Sequence, residues 1–136
     1  MNDDSRKYDL KWIIDGHTPK GGSIKNPKWM QVRDKLQLLD TYKDGTVVLN
    51  FNNGKPDWKE LSVQGENGYY FILFNDKKDK ESILRRSFDS KIIAEKKSIG
   101  GYDWDARTMF RDYEFVYQVF DEYFRTGDIT SPRLYP

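Results

Sequence analysis

The sequence contains no cysteine, and this absence excludes several kinds of chemistry at once. Without thiols there is no disulfide framework, no thiolate nucleophile and no cysteine-ligated zinc site. Histidine is nearly absent as well, since His17 is the only one in the chain. A single histidine disfavours a metal site built on imidazole ligands. We therefore expect no metal and no cofactor.

The chain also lacks an excess of charge of either sign, with 23 Lys and Arg against 22 Asp and Glu. Nucleic-acid-binding domains usually carry a basic excess or stripe, so we predict no nucleic-acid partner. Long hydrophobic runs are missing too, because the longest, Tyr69–Phe74, is far too short to cross a bilayer. The polar N-terminus does not resemble a signal peptide. These absences predict a soluble, cytoplasmic protein with no membrane partner.

Aromatic residues are plentiful, at 15% of the chain, although hydrophobic residues reach only 37%. Large rings fill a core with few residues, so the composition is typical of a folded protein. A length of 136 residues fits one domain. We predict a single domain over residues 1–136, with flexible tails at 1–6 and 131–136.

Alternating polarity predicts a first strand in which Tyr8, Leu10, Trp12 and Ile14 share one face. A glycine-rich loop over residues 16–23 follows it. Five further strands are predicted at Thr46–Phe51, Trp58–Val63, Tyr69–Phe74, Ser82–Phe88 and Lys91–Lys97. The turns between them are predicted at Asn53-Gly54, Asn67-Gly68 and Asp76–Glu81. Tyr69–Phe74 is apolar on both faces, which is typical of a central strand covered on each side.

Two segments have the spacing of amphipathic helices. The first is predicted to begin at Asn26-Pro27, with Asn as the N-cap, and to continue through Asp40. The second is predicted to follow Asp112 as its N-cap and to end at Gly127. Its apolar stripe comprises Val116, Val119, Phe120, Tyr123 and Phe124. Tyr113, Phe115 and Tyr117 lie off that stripe, so this helix is either sandwiched or offers a surface to a partner.

These elements together predict an α+β fold. We expect a mostly antiparallel sheet of about five to six strands with the two amphipathic helices packed on it.

Catalytic candidates are scarce. His17 and Ser23 can be drawn as part of a triad, but a lone loop histidine is far more often plain surface. Gly21-Gly22 and Gly100-Gly101 do not fit the glycine spacing of phosphate-binding loops, and turn or bulge glycines explain them better. We predict that the protein is not an enzyme.

Asp103 and Asp105 flank Trp104, and on a strand the two carboxylates would share one face. Their spacing suits neither a glycosidase pair nor a calcium loop. They are either solvated charges beside a turn or an acidic contact patch. The neighbouring Tyr102 and Trp104 favour the patch, because Tyr and Trp are enriched in binding hot spots.

Three segments carry a resemblance to a known family: Ile24-Lys-Asn-Pro-Lys-Trp29, Ile99-Gly-Gly-Tyr-Asp-Trp104 and Phe120-Asp-Glu-Tyr-Phe-Arg-Thr-Gly-Asp-Ile129. Over residues 24–130 the chain resembles small immunity proteins of bacterial polymorphic-toxin and contact-dependent growth-inhibition systems. The resemblance implies a cytoplasmic protein whose partner is a cognate protein toxin domain, the toxic C-terminal domain of an effector, and which blocks the toxin's active site. Immunity proteins against nucleases are often acidic, and this chain is not.

Three hypotheses follow, in decreasing order of support. The first is a toxin-neutralising immunity protein, whose predicted contact residues are Tyr102, Asp103, Trp104, Asp105, Asp121 and Glu122. The second is a small-ligand or carbohydrate-binding module with a pocket lined by Trp12, Trp58 or Trp104. The third is an enzyme that uses carboxylates alone. The sequence leaves the oligomeric state open.

Overall fold

The computed structural model describes residues 8–52, 58–66, 68–78, 81–87, 96–99, 102–105, 109–130 and 134–135. Two α-helices lie in this part of the chain, α1 at Trp29–Tyr42 and α2 at Tyr113–Thr126. The strands are β1 (Tyr8–Ile14), β2 (Gly21–Lys25), β3 (Gly45–Asn52), β4 (Trp58–Glu66), β5 (Tyr69–Lys78), β6 (Glu81–Ser87), β7 (Lys96–Ile99), β8 (Tyr102–Asp105), β9 (Met109–Phe110) and β10 (Leu134–Tyr135).

One antiparallel sheet dominates the fold, with strand order β10-β6-β5-β4-β3-β1-β2 and with β9 paired to β5. Six of its strands, β1 to β6, have five or more residues, while β9 and β10 have two each. Strands β7 and β8 form a separate antiparallel pair. The predicted α+β fold, with an antiparallel sheet and two helices, is confirmed.

The core lies between the sheet and both helices. Leu10, Leu49, Leu61 and Phe74 are cross-strand neighbours in one row, and each is at most 1% exposed. The helices cover this row with buried residues such as Val32, Leu36 and Leu39 from α1 and Val116, Val119 and Phe120 from α2. Side chains on one face of adjacent strands pack directly against each other, so this row joins four strands into one apolar layer.

The alternation predicted for the first strand is confirmed, since Tyr8, Leu10 and Ile14 are buried and Trp12 packs against the same core. Gly22 lies opposite Trp12 on β2, and a Cβ at Gly22 would lie 2.7 Å from the indole ring. Lys35 Nζ lies 4.3 Å from the centroid of the same ring. Glycine at position 22 is therefore needed because any side chain there would collide with the indole.

The predicted glycine-rich loop over residues 16–23 is shorter than expected. Gly21 and Gly22 belong to β2, which pairs with β1 through Lys25. The expectation was wrong because glycines usually interrupt strands, whereas here the tight contact with Trp12 requires one.

Helix α1 begins two residues later than predicted, with Lys28 as its N-cap. Asn26 has a left-handed backbone (φ 51°), and its N–H donates to the carbonyl of Tyr8 at 2.8 Å. Asn26 therefore continues the β1–β2 ladder and is not a helix cap. The backbone N–H of Lys28 donates instead to Oε1 of Gln31 at 2.8 Å.

Helix α2 has the predicted ends. The Asp112 side chain accepts a hydrogen bond from the Glu114 N–H at 3.0 Å, and Gly127 has φ 77°. Phe115 is buried, with its ring centroid 5.0 Å from that of Phe110, and Tyr117 contacts Trp29 across the helix pair at 5.5 Å. The off-stripe aromatics are thus explained by a helix sandwiched between neighbours.

The central strand is covered on both faces, as predicted. Tyr70, Ile72 and Phe74 are buried in the main core, while Phe71 packs with Met109 in a second cluster on the opposite face. The strand continues to Lys78, so the predicted turn at Asp76–Glu81 is reduced to the connection between Lys78 and its partner Glu81.

Other predicted features fall partly outside the described residues. Asn53-Gly54, Gly100-Gly101 and the Ile92-Ile93 centre of the predicted strand at Lys91–Lys97 lie there, and the strand seen nearby is β7. The C-terminal tail was predicted as flexible, but Leu134 and Tyr135 pair with Ser87 and Arg86 of β6. An unpaired sheet edge offers hydrogen bonds to any nearby extended chain, which explains the pairing.

Candidate binding site at the sheet edge

Strand β2 is the last strand of the main sheet in the described part of the chain. The Ile14 N–H donates to the Lys20 carbonyl at 2.7 Å, and the Asn26 N–H donates to the Tyr8 carbonyl at 2.8 Å. Because the direction of peptide groups alternates along an antiparallel ladder, Gly22 and Ile24 also face β1. The peptide groups of Gly21, Ser23 and Lys25 therefore face away from the sheet, and no described residue pairs with them.

Beside this edge, a groove of about 450 Å³ opens on the sheet face opposite the helices. Its floor consists of two cross-strand rows, Ser23↔Lys11↔Val48 and Gly21↔Ile13↔Thr46, with the β1 residue in the middle of each. Ile13 is 56% exposed there, an unusual position for a large aliphatic side chain in a sheet. Gly21 has no side chain and Ser23 a short one, so the groove stays open toward the edge.

A second depression, of about 150 Å³, shares Ile13 and Thr46 with the groove and continues it along the strands. We call its three carboxylates, Asp15, Asp44 and Glu66, the acidic rim. The Asp15 N–H donates to the Asp44 carbonyl at 2.9 Å, which holds these two residues together.

Gly45 allows this arrangement. It has φ 150°, and a Cβ there would collide with the carbonyl oxygen of Ile13. The start of β3 can therefore run against the end of β1, which places Asp44 beside Asp15.

Asp15 of the acidic rim forms an ion pair with Lys20, whose Nζ lies 3.0 Å from Asp15 Oδ1. Both side chains are largely solvent-exposed, at 66% and 56%. Pairs of this kind contribute little to stability, because water screens the attraction and both side chains lose conformational freedom. Lys11 is the lysine that lines the groove itself, and farther along β1 Asp9 lies opposite Lys25. Acidic side chains thus lie at one end of the groove, and Lys11 lies toward the other end.

His17 lies in the loop between β1 and β2, with its ring 5.5 Å from that of Tyr42. The backbone N–H of His17 donates to the Ile14 carbonyl at 3.3 Å. Ser23 lies on the open edge, and no hydrogen bond of the described residues joins it to His17. The arrangement provides no triad.

The predicted contact residues Tyr102, Asp103, Trp104 and Asp105 form β8, which pairs with Lys96–Ile99 of β7. The segment is therefore a strand, the condition under which Asp103 and Asp105 share one face. The β8 side chains lie outside the described part of the structure. The contact patch stays a prediction.

Asp121 and Glu122, the other two predicted contact residues, lie on α2 and have partners within the chain. Asp121 pairs with Arg125 at 2.9 Å. Glu122 accepts hydrogen bonds from the Thr130 N–H at 3.0 Å and from the Thr130 hydroxyl at 2.6 Å. The role of Asp121 and Glu122 as contact residues stays a prediction, like that of the β8 residues.

A tyrosine cluster connects the helices to the sheet. The Tyr70 hydroxyl donates to Asp40 Oδ1 at 2.5 Å, and burial followed by this hydrogen bond raises the pKa of Tyr70 far above its usual range. Burial, followed by the charge of Asp40, raises the pKa of Tyr113 to about 12, although Arg33 opposes the shift. Both phenols stay protonated at neutral pH. The Tyr70 hydroxyl donates a hydrogen bond, whereas the buried Tyr113 hydroxyl has no hydrogen-bond partner among the described residues.

Other site types lack support in the described residues. No group of three or more His, Asp or Glu side chains there could hold a metal ion. No described helix has the length and apolar character needed to cross a bilayer. Trp12 borders the groove, but its ring lies against Lys35, and Trp58 is half-buried at the start of β4.

A family model described as "Family of unknown function (DUF6911)" matches residues 11–133. The chain belongs to this family. Among solved structures, the fold is similar to the crystal structure of a hypothetical protein from Neisseria gonorrhoeae, with a TM-score of 0.66 and 13% identity. That likeness covers 93% of this chain and 92% of the other, and it shows the fold alone. No curated protein matches this member of the family.

The open edge and its groove were not predicted from the sequence. Gly21–Lys25 contains one apolar residue, Ile24, so it lacks the alternation that marks a strand. The alternation predicted for β1 places Ile13 on the face opposite Leu10 and Ile14, but it does not show whether another element covers that face. A stretch of three apolar residues within an alternating strand was the one available signal, because one of the three must face away from the core.

Proposed function

We propose that this protein acts by binding another protein, as a cytoplasmic immunity protein that neutralises the toxic C-terminal domain of a bacterial effector. The observation that carries the proposal is the open edge of β2 beside an apolar groove. Unpaired peptide groups next to exposed apolar surface suit recognition of a protein chain, which offers matching peptide groups and side chains.

The surface charge supports the same function. A toxin inhibitor must bind its own partner and reject related ones, and charges of both signs achieve this through complementary and repulsive contacts. The groove has such polarity, with Lys11 toward one end and the acidic rim at the other. The resemblance over residues 24–130 adds the expectation that the partner is a toxin domain.

A small-ligand or carbohydrate-binding module is the second candidate. The groove volume of about 450 Å³ favours it, because many small-molecule sites have volumes of this order. Two features disfavour it: few side chains close the groove on the edge side, and the Trp12 ring lies beneath Lys35 and is not an open stacking platform.

The proposal is tested by affinity capture of the tagged protein from lysate of its native host, followed by mass spectrometry of the intact complex. The captured protein is then expressed alone, and again together with this chain. We expect a stoichiometric partner that arrests growth alone and is harmless in co-expression. A monomer with a bound small molecule, or a partner that is harmless when expressed alone, would contradict the immunity function.

A further inference from the structure

The geometry points to one class of ligand for the groove: an extended, basic segment of the partner protein that adds a strand to β2. In this arrangement a large apolar side chain of the segment lies over Ile13. A Lys or Arg two residues away, on the same face, lies against the acidic rim. The inference rests on the proposed function in taking a protein as the partner, and it names the chemistry that the site recognises.

The backbone of β2 supplies the first argument. Gly21, Ser23 and Lys25 direct their peptide groups outward, and no described residue pairs with them. All described pairings in this sheet are antiparallel, and β2 is exposed apart from the half-buried Ile24. An added strand would gain main-chain hydrogen bonds without displacing any described element.

Side-chain sizes supply the second argument. Adjacent strands lie about 4.8 Å apart, so an added strand would lie about 10 Å from β1. A side chain on it can reach Ile13 only if the β2 residue between them is small. Gly21 is directly opposite Ile13 and has no side chain, so it leaves this path open. A large apolar residue would cover the exposed part of Ile13 and remove apolar surface from water.

Charge supplies the third argument and sets the register. Alternate residues of a strand share a face and lie about 7 Å apart. Asp15 lies two residues after Ile13, just past the end of β1, and both line the second depression. A cation two residues from the apolar side chain therefore meets the acidic rim. The ion pair between Lys20 and Asp15 is exposed and gives little resistance. Lys11 repels a cation toward the opposite end of the groove.

The edge is tested with the variants Ser23→Pro and Ser23→Ala. Proline removes the outward N–H of Ser23 while the β1–β2 hydrogen bonds, which involve Gly22 and Ile24, stay in place. Alanine removes only the hydroxyl. Linear peptides of about ten residues, roughly twice the strand length, are selected from a random displayed library on the wild-type protein. The enriched peptides are synthesised and titrated against all three proteins.

We expect enriched peptides to contain a large apolar residue and a Lys or Arg two positions away. Their affinity should fall about tenfold or more in Ser23→Pro, because this variant loses one main-chain hydrogen bond and the strand geometry around it. In Ser23→Ala, which keeps the N–H, the affinity should fall by less than about twofold. Backbone amide shifts on titration should centre on Gly21, Ser23 and Lys25. Absence of the spacing among enriched peptides, or equal affinity of the two variants, would overturn the inference.

A second variant keeps the inference testable if Ser23→Pro does not fold. Asp15→Lys reverses one charge of the acidic rim at an exposed position. It should weaken a selected peptide about tenfold and bind the Arg→Glu version of that peptide more tightly than wild-type protein does. An unchanged ratio between the two peptides would refute the charge argument.

The two proposals fail in different ways. If a captured toxin is neutralised equally well by Ser23→Pro and Ser23→Ala, the immunity function stands and the edge inference fails. If the selected peptides respond as expected but no toxic partner exists, the edge inference stands and the immunity function fails.

Discussion

Tyrosine hydroxyls connect the layers of this protein at single positions. The Tyr8 hydroxyl donates to the carbonyls of Tyr123 at 2.9 Å and Phe124 at 3.2 Å, near the end of α2. The Tyr70 hydroxyl reaches Asp40 on α1. Carbonyls in the last turn of a helix lack a partner in a following turn. The Tyr123 carbonyl also accepts from the Gly127 N–H, so Tyr8 matters most for the Phe124 carbonyl. These contacts explain why tyrosine, and not phenylalanine, occupies such buried positions.

Alkaline pH should destabilise the protein through these phenols. Burial raises the pKa of Tyr113 from 10.0 to about 12 in the folded state. A raised folded-state pKa means that the unfolded chain releases the proton first, so the contribution to stability is complete below pH 10 and is lost as the pH rises toward 12. We expect the free energy of unfolding, measured by urea denaturation, to fall over this range.

Tyr113→Phe should make this fall less steep, because one of the phenols with a raised pKa is removed. Tyr42→Phe, at a position 39% exposed, is the matched control and should keep the wild-type slope. If Tyr113→Phe and wild type lose stability in parallel between about pH 10 and about pH 12, Tyr113 does not contribute to the pH dependence.

Local signals decided the ends of α2. Asp112 accepts from the Glu114 N–H, Gly127 adopts the left-handed conformation, and the Gly127 N–H donates to the Tyr123 carbonyl at 2.8 Å. Each signal acts within a few residues, which is why the sequence predicted this helix correctly. The predicted start of α1 failed because Asn26 is used by a strand pairing with Tyr8, distant in the chain.

Removal of the α2 N-cap gives a prediction for this element. Asp112→Ala should reduce the free energy of unfolding by about 1 kcal/mol, since the Glu114 N–H loses its acceptor. Asp112→Asn keeps an acceptor oxygen and should cost much less. Urea denaturation of the three proteins measures both effects. Equal stability of Asp112→Ala and wild type would show that water replaces the cap without cost.

The loop after α2 is held by long side chains from the sheet. Lys59 Nζ donates to the Gly127 carbonyl at 2.8 Å, and Arg85 donates to the Ile129 carbonyl at 2.7 Å. Neither contact follows from local sequence, because Lys59 and Arg85 lie on β4 and β6.

Two surfaces of the whole molecule are candidates for the partner, the β2 edge and the β8 strand. The β8 prediction leads us to expect that Trp104→Ala and Asp103→Lys weaken partner binding while leaving the thermal midpoint nearly unchanged. Truncation of a hot-spot aromatic typically costs binding energy of 2 kcal/mol or more, roughly a thirtyfold loss of affinity. Titration calorimetry with the captured partner, alongside thermal melts, measures both quantities.

Trp104→Phe and Asp103→Asn are the conservative controls for β8. If Trp104→Ala and Asp103→Lys protect cells as well as the parent, the β8 site is wrong even where the immunity function is right. If Ser23→Pro then protects cells less well than the parent, the contact with the partner lies at the β2 edge.

The amino-acid order determined the elements of this protein and the class of its fold. The alternation of Leu10 and Ile14, the cap at Asp112 and the glycine at position 127 act between near neighbours in the chain, so their consequences can be read from a short segment. Tertiary structure decided the candidate site. Strand order left β2 at an edge, and the packing of both helices on the other face left Ile13 exposed. Sheet register brought Asp15, Asp44 and Glu66 together. Such a site depends on which distant strands pair, and several pairings satisfy the same local pattern equally well.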